Sequence, residues 1–175
     1  MSRVAIIGAG SWGTAVSCLV AQNADEVVLW SHGQGSADAI NQTHHNPRYL
    51  ADVELPANVH ATGDLAGAAL GCSAVVLAAP STHLRNISHE LAESLGPDVP
   101  ALVLTKGIEA GTGLLMSEVA ASELGGEQRV AALSGPNHAE AVSLKMFSAA
   151  VLASPSEEIG ELLRAYVATP TFRVY

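Results

Sequence analysis

The sequence predicts an α/β fold, a doubly wound and mostly parallel sheet flanked by helices. Short β-branched runs alternate with longer Ala/Leu/Glu-rich stretches along most of the chain. Continuous apolar runs such as AVVLAA suit strands buried on both faces. The first apolar run also passes directly into a glycine-rich turn and a helix-like segment. With 175 residues, no internal repeat and no low-complexity linker, the chain reads as one domain, 1–175, large enough to bury its own core.

The elements follow in order. Residues 3–7 (RVAII) form a first strand, 11–22 carry apolar residues at helical spacing, and 26–30 (EVVLW) form a second strand. Residues 32–59 break the rhythm: His, Asn, Pro and Gly cluster there, and the only helix-like piece is 36–43, so this reads as an irregular insert. Strand 73–79 leads into helix 82–95, where Leu84, Ile87, Leu91 and Leu95 make one inward stripe. Strand 101–105 is followed by helix 114–124. Gly96-Pro97 and Gly125-Gly126 stop these two helices. Strands 130–134 and 148–153 come next. Helix 156–168 then starts with Ser156 as a cap and with Glu157 and Glu158 placed to suit the helix dipole. A short strand over 171–174 closes the chain, and right-handed crossovers wind the parallel part. The end at FRVY, in or just after a strand, reads as a piece of a longer protein.

Composition excludes several classes of function. Seventeen acidic against eight basic side chains give a net charge of −9, and aromatic residues are 4% of the chain. With no Lys/Arg run and few rings to stack bases, a nucleic-acid surface is not expected. No apolar run reaches about 18 residues, so no membrane span is expected. The start MSRVAIIGAGSWG lacks the longer apolar stretch of a secretory signal, which points to the cytoplasm. Cys18 and Cys72 form neither a C-x-x-C pair nor part of a zinc quartet, so they read as free thiols. His44 and His45 are adjacent, face different ways and have no third ligand at metal spacing, so no metal is expected. Ser81, Thr82, His83 and His138 lack the G-x-S-x-G elbow of an acyl-transfer site.

The strongest local signal is Gly8-Ala9-Gly10-Ser11-Trp12-Gly13, between a strand and a helix. Such a turn cradles a dinucleotide: Gly8 allows the tight bend, Gly10 lets backbone approach a pyrophosphate, and Gly13 lets helix pack on strand. Amide N–H groups and the helix dipole then face the phosphates. At the end of the second strand, where a carboxylate would take the ribose 2′-OH of NAD, the chain has Trp30-Ser31-His32-Gly33. A 2′-phosphate is not repelled there and His32 or Ser31 can donate to it, but no Arg stands in this segment to clamp it. The coenzyme is NADP or NAD, with the balance toward NADP.

A second constellation lies at later strand ends: Ala79-Pro80-Ser81, Thr105-Lys106-Gly107 and Ser134-Gly135-Pro136-Asn137-His138-Ala139. In a doubly wound sheet these ends face one crevice. Lys106 places a positive charge there, able to hold a phosphate or to stabilise a carbonyl oxygen becoming an alkoxide. Gly135 offers close backbone approach, and Asn137 an amide for a substrate hydroxyl or phosphate.

Taken together, the segments GAGSWGTA, VVLWSH, HNPRYL with LPANV, LAAPS, LTKGIE and SGPNHAEAV, in this order, resemble bacterial glycerol-3-phosphate dehydrogenases. The resemblance runs from Arg3 to about Ser154 and covers a cofactor domain of Rossmann type. It implies NAD(P)-dependent interconversion of dihydroxyacetone phosphate and sn-glycerol 3-phosphate, in glycerophospholipid precursor synthesis. It also implies that Ser11 and Trp12 touch the pyrophosphate region and that His32 and Tyr49 lie on the adenosine side. Ala139 would contact the coenzyme, Lys106 both coenzyme and substrate, and Gly135 and Asn137 the substrate. A helical carboxy-terminal domain, bearing the general-base lysine and the grip on the substrate phosphate, is not in this chain. The domain alone is therefore expected to bind coenzyme but turn over little, and the parent to be a homodimer. Two other readings of the same residues are the cofactor domain of another two-domain dehydrogenase, such as a ketopantoate or 3-hydroxyacyl reductase, and a non-catalytic dinucleotide sensor.

Overall fold

A computed structural model describes residues 1–175. The chain runs β1 (Arg3–Ile7), α1 (Ser11–Val20), β2 (Glu26–Trp30), α2 (Gln34–Thr43), β3 (Val59–Thr62), α3 (Leu65–Ala69), β4 (Ala74–Leu77) and α4 (Ser81–Ala92). It continues through β5 (Ala101–Val103), α5 (Met116–Leu124), a single 3-10 turn at Glu127–Arg129, β6 (Val130–Ser134), α6 (Ala139–Ser143), β7 (Ser148–Ala153), α7 (Glu157–Val167) and β8 (Phe172–Val174). All eight strands form one sheet in the order β3-β2-β1-β4-β5-β6-β7-β8. Every neighbouring pair is parallel except β6–β7, which is antiparallel. The chain winds outward from β1 to β3 and then returns to build the other half from β4, so the order reverses between β1 and β4. In Rossmann-type sheets a crevice opens at that point.

Alternation along the strands explains the two-sided core. In β1, Val4 and Ile6 join a cluster with Val16 and Leu19 of α1, Ile40 of α2, Val142 of α6 and Leu163 of α7. Ala5 and Ile7 point the other way, into a cluster with Leu65 of α3, Leu84 and Leu91 of α4 and Val119 of α5. Burial on both faces is why these strands are continuously apolar. No helix is long and apolar enough to cross a membrane.

Besides shifts of one or two residues at several helix ends, the structure departs from the sequence reading in four places. Residues 59–62, read as the end of the insert and its aftermath, form β3 and pair with β2 from Val27↔Val59 to Trp30↔Thr62. The five-residue helices α3 and α6 were not expected, because so short a segment carries less than two turns of periodicity. The strands expected over 73–79 and 101–105 stop at Leu77 and Val103. Their last residues instead leave the sheet for the crevice. The helix expected over 82–95 starts at Ser81 and ends at Ala92, yet Leu95 stays buried at 6% exposure beyond its end.

Candidate functional site

A crevice of about 730 Å³ opens at the carboxyl ends of β1, β2, β4 and β5. Its floor is the glycine turn, and its walls come from Trp30–His32, Ala78–Ser81, Leu104–Lys106 and residues of the insert. Three helices start at this space, and none has a side-chain cap: α1 follows Gly10, α2 follows Gly33 and α4 follows Pro80. Away from the crevice, α3 and α7 have side-chain caps and Glu118 accepts from Leu115 N at the start of α5, while the five-residue α6 has no side-chain cap. Asp64 accepts from Gly67 N at the start of α3, and Ser156 accepts from Ile159 N at the start of α7. Leaving amide donors free at three converging helix starts is destabilising unless an anion or water takes them. The shared opening is therefore built for a ligand with several anionic groups.

The glycines of the turn divide the work. Gly8 has φ of +120°, and a Cβ there would lie 2.8 Å from the backbone of Ala78 and Ala79, so only glycine fits between β1 and the β4 loop. A Cβ on Gly13 would lie 1.8 Å from Gly8 O, which sets how closely α1 sits on the turn. Gly10 differs: a Cβ there would meet nothing within 4 Å. Its bare face looks into the crevice, a cradle that a side chain would fill. These features fit a pyrophosphate lying along the turn.

Charge in the crevice opposes the charge of the protein. Arg3, Arg85 and Arg164 pair with glutamates, and Arg129 donates to the carbonyls of Gly96 and Pro97. The two cations lining the crevice, Arg48 and Lys106, have no carboxylate partner, and the one acidic residue in its lining is Glu90. The Lys106 ammonium donates to Gly135 O at 2.9 Å. Its backbone is anchored on both sides. The Thr105 hydroxyl donates to Ala79 O at 2.7 Å, and Glu109 takes two hydrogen bonds from Arg85, at 2.8 and 2.7 Å. Thr112 donates to the same carboxylate at 2.6 Å. The Arg85 guanidinium, with Thr112, holds the Glu109 carboxyl down to about 2. Between the anchors, Gly107 has φ of +137°, and a Cβ there would lie 3.4 Å from Ser81 Cβ.

Of the residues expected from sequence, Gly8, Gly10, Ser11, Trp12, His32, Tyr49 and Lys106 all line the crevice. The Trp12 ring lies 6.5 Å from Phe172, tilted by 56°, and His32 meets the Trp30 ring edge-on at 6.1 Å. Gly13 lies beneath the turn, in the helix packing. Gly135, Asn137 and Ala139 do not line the crevice. Gly135 reaches it only through the carbonyl that holds Lys106. Asn137 donates its amide to Ala149 O at 3.0 Å, and Ala139, 8% exposed, packs into the core at the start of α6.

From the insert, sequence reading placed Tyr49 at the site but missed the parts of Asn46 and Arg48. Asn46, 3% exposed, donates to Ala9 O and to Thr14 Oγ1, both at 2.9 Å, and so fastens the insert to the glycine turn. Its Oδ1 accepts from Arg48 N at 3.2 Å, and its carbonyl accepts from Tyr49 N at 3.2 Å. The segment after β2 contains no Arg, but the insert supplies one to the same crevice. Arg48 is 16 positions beyond His32 in sequence, and the fastened insert brings it there. The sequence signal was slight, one Asn before Pro at the end of a polar run that looks solvated throughout.

Comparison with known proteins agrees with this geometry. The profile of the family described as NAD-dependent glycerol-3-phosphate dehydrogenase N-terminus matches residues 3–160. Glycerol-3-phosphate dehydrogenase (NAD(P)+) of Corynebacterium urealyticum is 41% identical over 176 residues, spanning all of this chain and 53% of that protein. The crystal structure of glycerol-3-phosphate dehydrogenase from Coxiella burnetii superposes with a TM-score of 0.91 at 31% identity, over 99% of this chain and 53% of that one. DsGPDH of Dunaliella salina gives 0.92 at 30% identity, over 99% and 33%. The chain thus spans about half the length of the curated relatives it matches. With the glycine turn, the strand order and the profile match in agreement, the chain belongs to the NAD-dependent glycerol-3-phosphate dehydrogenase N-terminus family.

Proposed function

We propose that residues 1–175 are the NAD(P)-binding domain of an enzyme that interconverts dihydroxyacetone phosphate and sn-glycerol 3-phosphate, supplying glycerophospholipid synthesis in the cytoplasm. The observation that carries the reading is the convergence of three uncapped helix starts and two unpaired cations on one crevice in a chain of net charge −9. A dinucleotide offers anionic groups spaced to meet several such donors. The bare face of Gly10 and the amides of Ser11 and Trp12 hold the pyrophosphate. His32 and Tyr49 border the adenosine, and Lys106 lies at the reacting end.

The bound nicotinamide supplies a hydride to the ketone carbon of the substrate. Around it the chain orients and stabilises. Lys106, fixed by Gly135 O and by its anchored backbone, presents a positive charge to the carbonyl oxygen where negative charge grows. The glycine turn and Trp12 exclude water from one side of the coenzyme. Protonation of that oxygen and the grip on the substrate phosphate belong to a helical domain in the remaining half of the parent, which we take to be a homodimer. Gly135, Asn137 and Ala139 would reach ligand from the rim as that domain and the substrate close over the crevice.

Titration of Trp fluorescence with NADPH and NADH tests the reading, with Trp12 as reporter. Saturable quenching supports it. No quenching by either coenzyme from a sample folded by circular dichroism overturns it. Steady-state turnover of dihydroxyacetone phosphate by this chain should be far below that of a two-domain homologue, and comparable turnover would refute the division of labour.

A further inference from the structure

We infer that Arg48 is the coenzyme-selecting residue: together with Ser31 and the start of α2 it forms a subsite for the 2′-phosphate of NADP(H). The inference rests on the reading of the crevice as a dinucleotide site. It assigns coenzyme preference to a residue of the insert and not to the end of β2.

Four observations on the lining of the crevice support it. First, β2 ends in Trp30, Ser31 and His32, with no carboxylate to accept from a ribose 2′-OH or to repel a phosphate. Second, Ser31 is 6% exposed and lines the crevice, its backbone N–H is tied to Thr62 O at 2.9 Å, and its hydroxyl has no partner in the protein. The hydroxyl makes no bond within the protein and belongs to the crevice wall, so it is free to donate to a ligand there. Third, α2 starts without a side-chain cap after Gly33, whose φ is +97°, and Ser36 of its first turn lines the crevice. Fourth, Arg48 lines the same crevice with no carboxylate partner, its guanidinium carbon 6.0 Å from the Tyr49 ring centroid, on a loop already ordered by Asn46.

The pieces complement one another chemically. A phosphomonoester dianion needs a cation with several donors, a hydroxyl donor and free amides, and it must face no acid. A ribose hydroxyl is best met by a carboxylate, which the end of β2 lacks. Because Asn46 fixes the Arg48 backbone before any ligand arrives, less ordering entropy opposes the contact. The alternative role for Arg48 is the pyrophosphate, which NADH and NADPH share. In that case its removal would weaken both coenzymes alike.

The experiment is a fluorescence titration of the 175-residue chain and of Arg48→Gln, Arg48→Lys and Ser31→Ala, with NADPH, NADH, 2′,5′-ADP and 5′-AMP as probes. The expected result is tighter binding of NADPH than NADH by the wild-type chain, and of 2′,5′-ADP than 5′-AMP. In Arg48→Gln the NADPH-to-NADH affinity ratio falls about tenfold or more, the scale of a lost hydrogen bond to a charged group. Arg48→Lys retains part of the preference, and Ser31→Ala lowers it by a smaller factor. Equal loss for both coenzymes in Arg48→Gln overturns the inference and places Arg48 on the pyrophosphate. Equal wild-type affinity for NADH and NADPH overturns it as well. Absence of any binding by folded wild-type chain overturns the dinucleotide reading itself and the inference with it.

Discussion

Gly13→Ala should separate the packing role of the glycine turn from its binding role. The added Cβ would sit 1.8 Å from Gly8 O, an atom of the backbone that cannot swing aside. For an ordinary contact, α1 must retreat by roughly 1.2 Å or more. Helix α1 presents Ala15, Val16, Leu19 and Val20, all nearly inaccessible, to the sheet, so a retreat of that size opens a gap along its buried face. Such a gap forfeits much of the dispersion energy of those side chains. Overpacking of this kind costs about 3 kcal/mol, which in a domain of this length lowers Tm by about 6–12 °C. Gly10→Val is the contrast. Its side chain meets nothing within 4 Å and its φ of −75° is open to any residue, so stability falls by only about 1 kcal/mol through the poorer helix start. Coenzyme binding should nevertheless fall about tenfold or more, because the side chain fills the space through which phosphate reaches the amides. Calorimetric melting of both variants and coenzyme titration of Gly10→Val are the assays. A Gly13→Ala melt within about 2 °C of wild type would refute the reasoning, as would unchanged binding by Gly10→Val.

Three further outcomes follow from features away from the turn. The folded Glu109 carboxyl lies near 2, below its ordinary value, so the stability that it contributes is full above the unfolded pKa and disappears as pH falls through about 2. In Arg85→Gln that loss should move up toward pH 4–5, visible in urea melts between pH 2 and 7, and an unchanged acid limb would count against the clamp. Burial pushes the Cys18 thiol up to about 11, so its reaction with a disulfide reagent at pH 8 should be far slower than that of an unfolded control. Phe147 is 88% exposed beside exposed Leu144, Met146 and Val151. Phe147→Ser should therefore reduce self-association measured by light scattering over a dilution series, with little change in Tm. A clean wild-type monomer at high concentration would refute that expectation.

How much was legible in the sequence depended on how local its cause was. The strands β1, β2 and β6 announce themselves because runs such as RVAII and EVVLW are largely buried, and β7 because SAAVLA is a short apolar run between turn residues; the bounds of all four agree with the structure to the residue. The glycine turn was readable because Gly8 and Gly13 answer constraints within five residues or at the neighbouring strand end, and Gly10 leaves the approach to the turn open. The strand VHAT was not, since four residues with one exposed histidine become a strand only by pairing with β2. The reversal of β7 is likewise set by tertiary contact. In the site, Arg48 escaped notice because its place is fixed by Asn46 bonding to Ala9 and Thr14, 37 and 32 residues away. Asn137 and Ala139 followed motif position alone. In the domain by itself Asn137 bonds to Ala149 O and Ala139 packs in the core, so neither the geometry nor the local sequence marks them as ligand contacts.

The Asn46 amide also makes two distant stretches open and close as one unit. Its nitrogen closes the glycine turn and its oxygen closes the loop of Arg48 and Tyr49, so a fluctuation that frees either stretch must break bonds that hold the other. Amide exchange at Gly10–Thr14 and at 46–49 should then slow together when only one half of a dinucleotide is present. An adenosine fragment that stiffens the loop lowers the ordering cost for the group that docks on the turn, so the two halves of the ligand bind cooperatively although they share no contact.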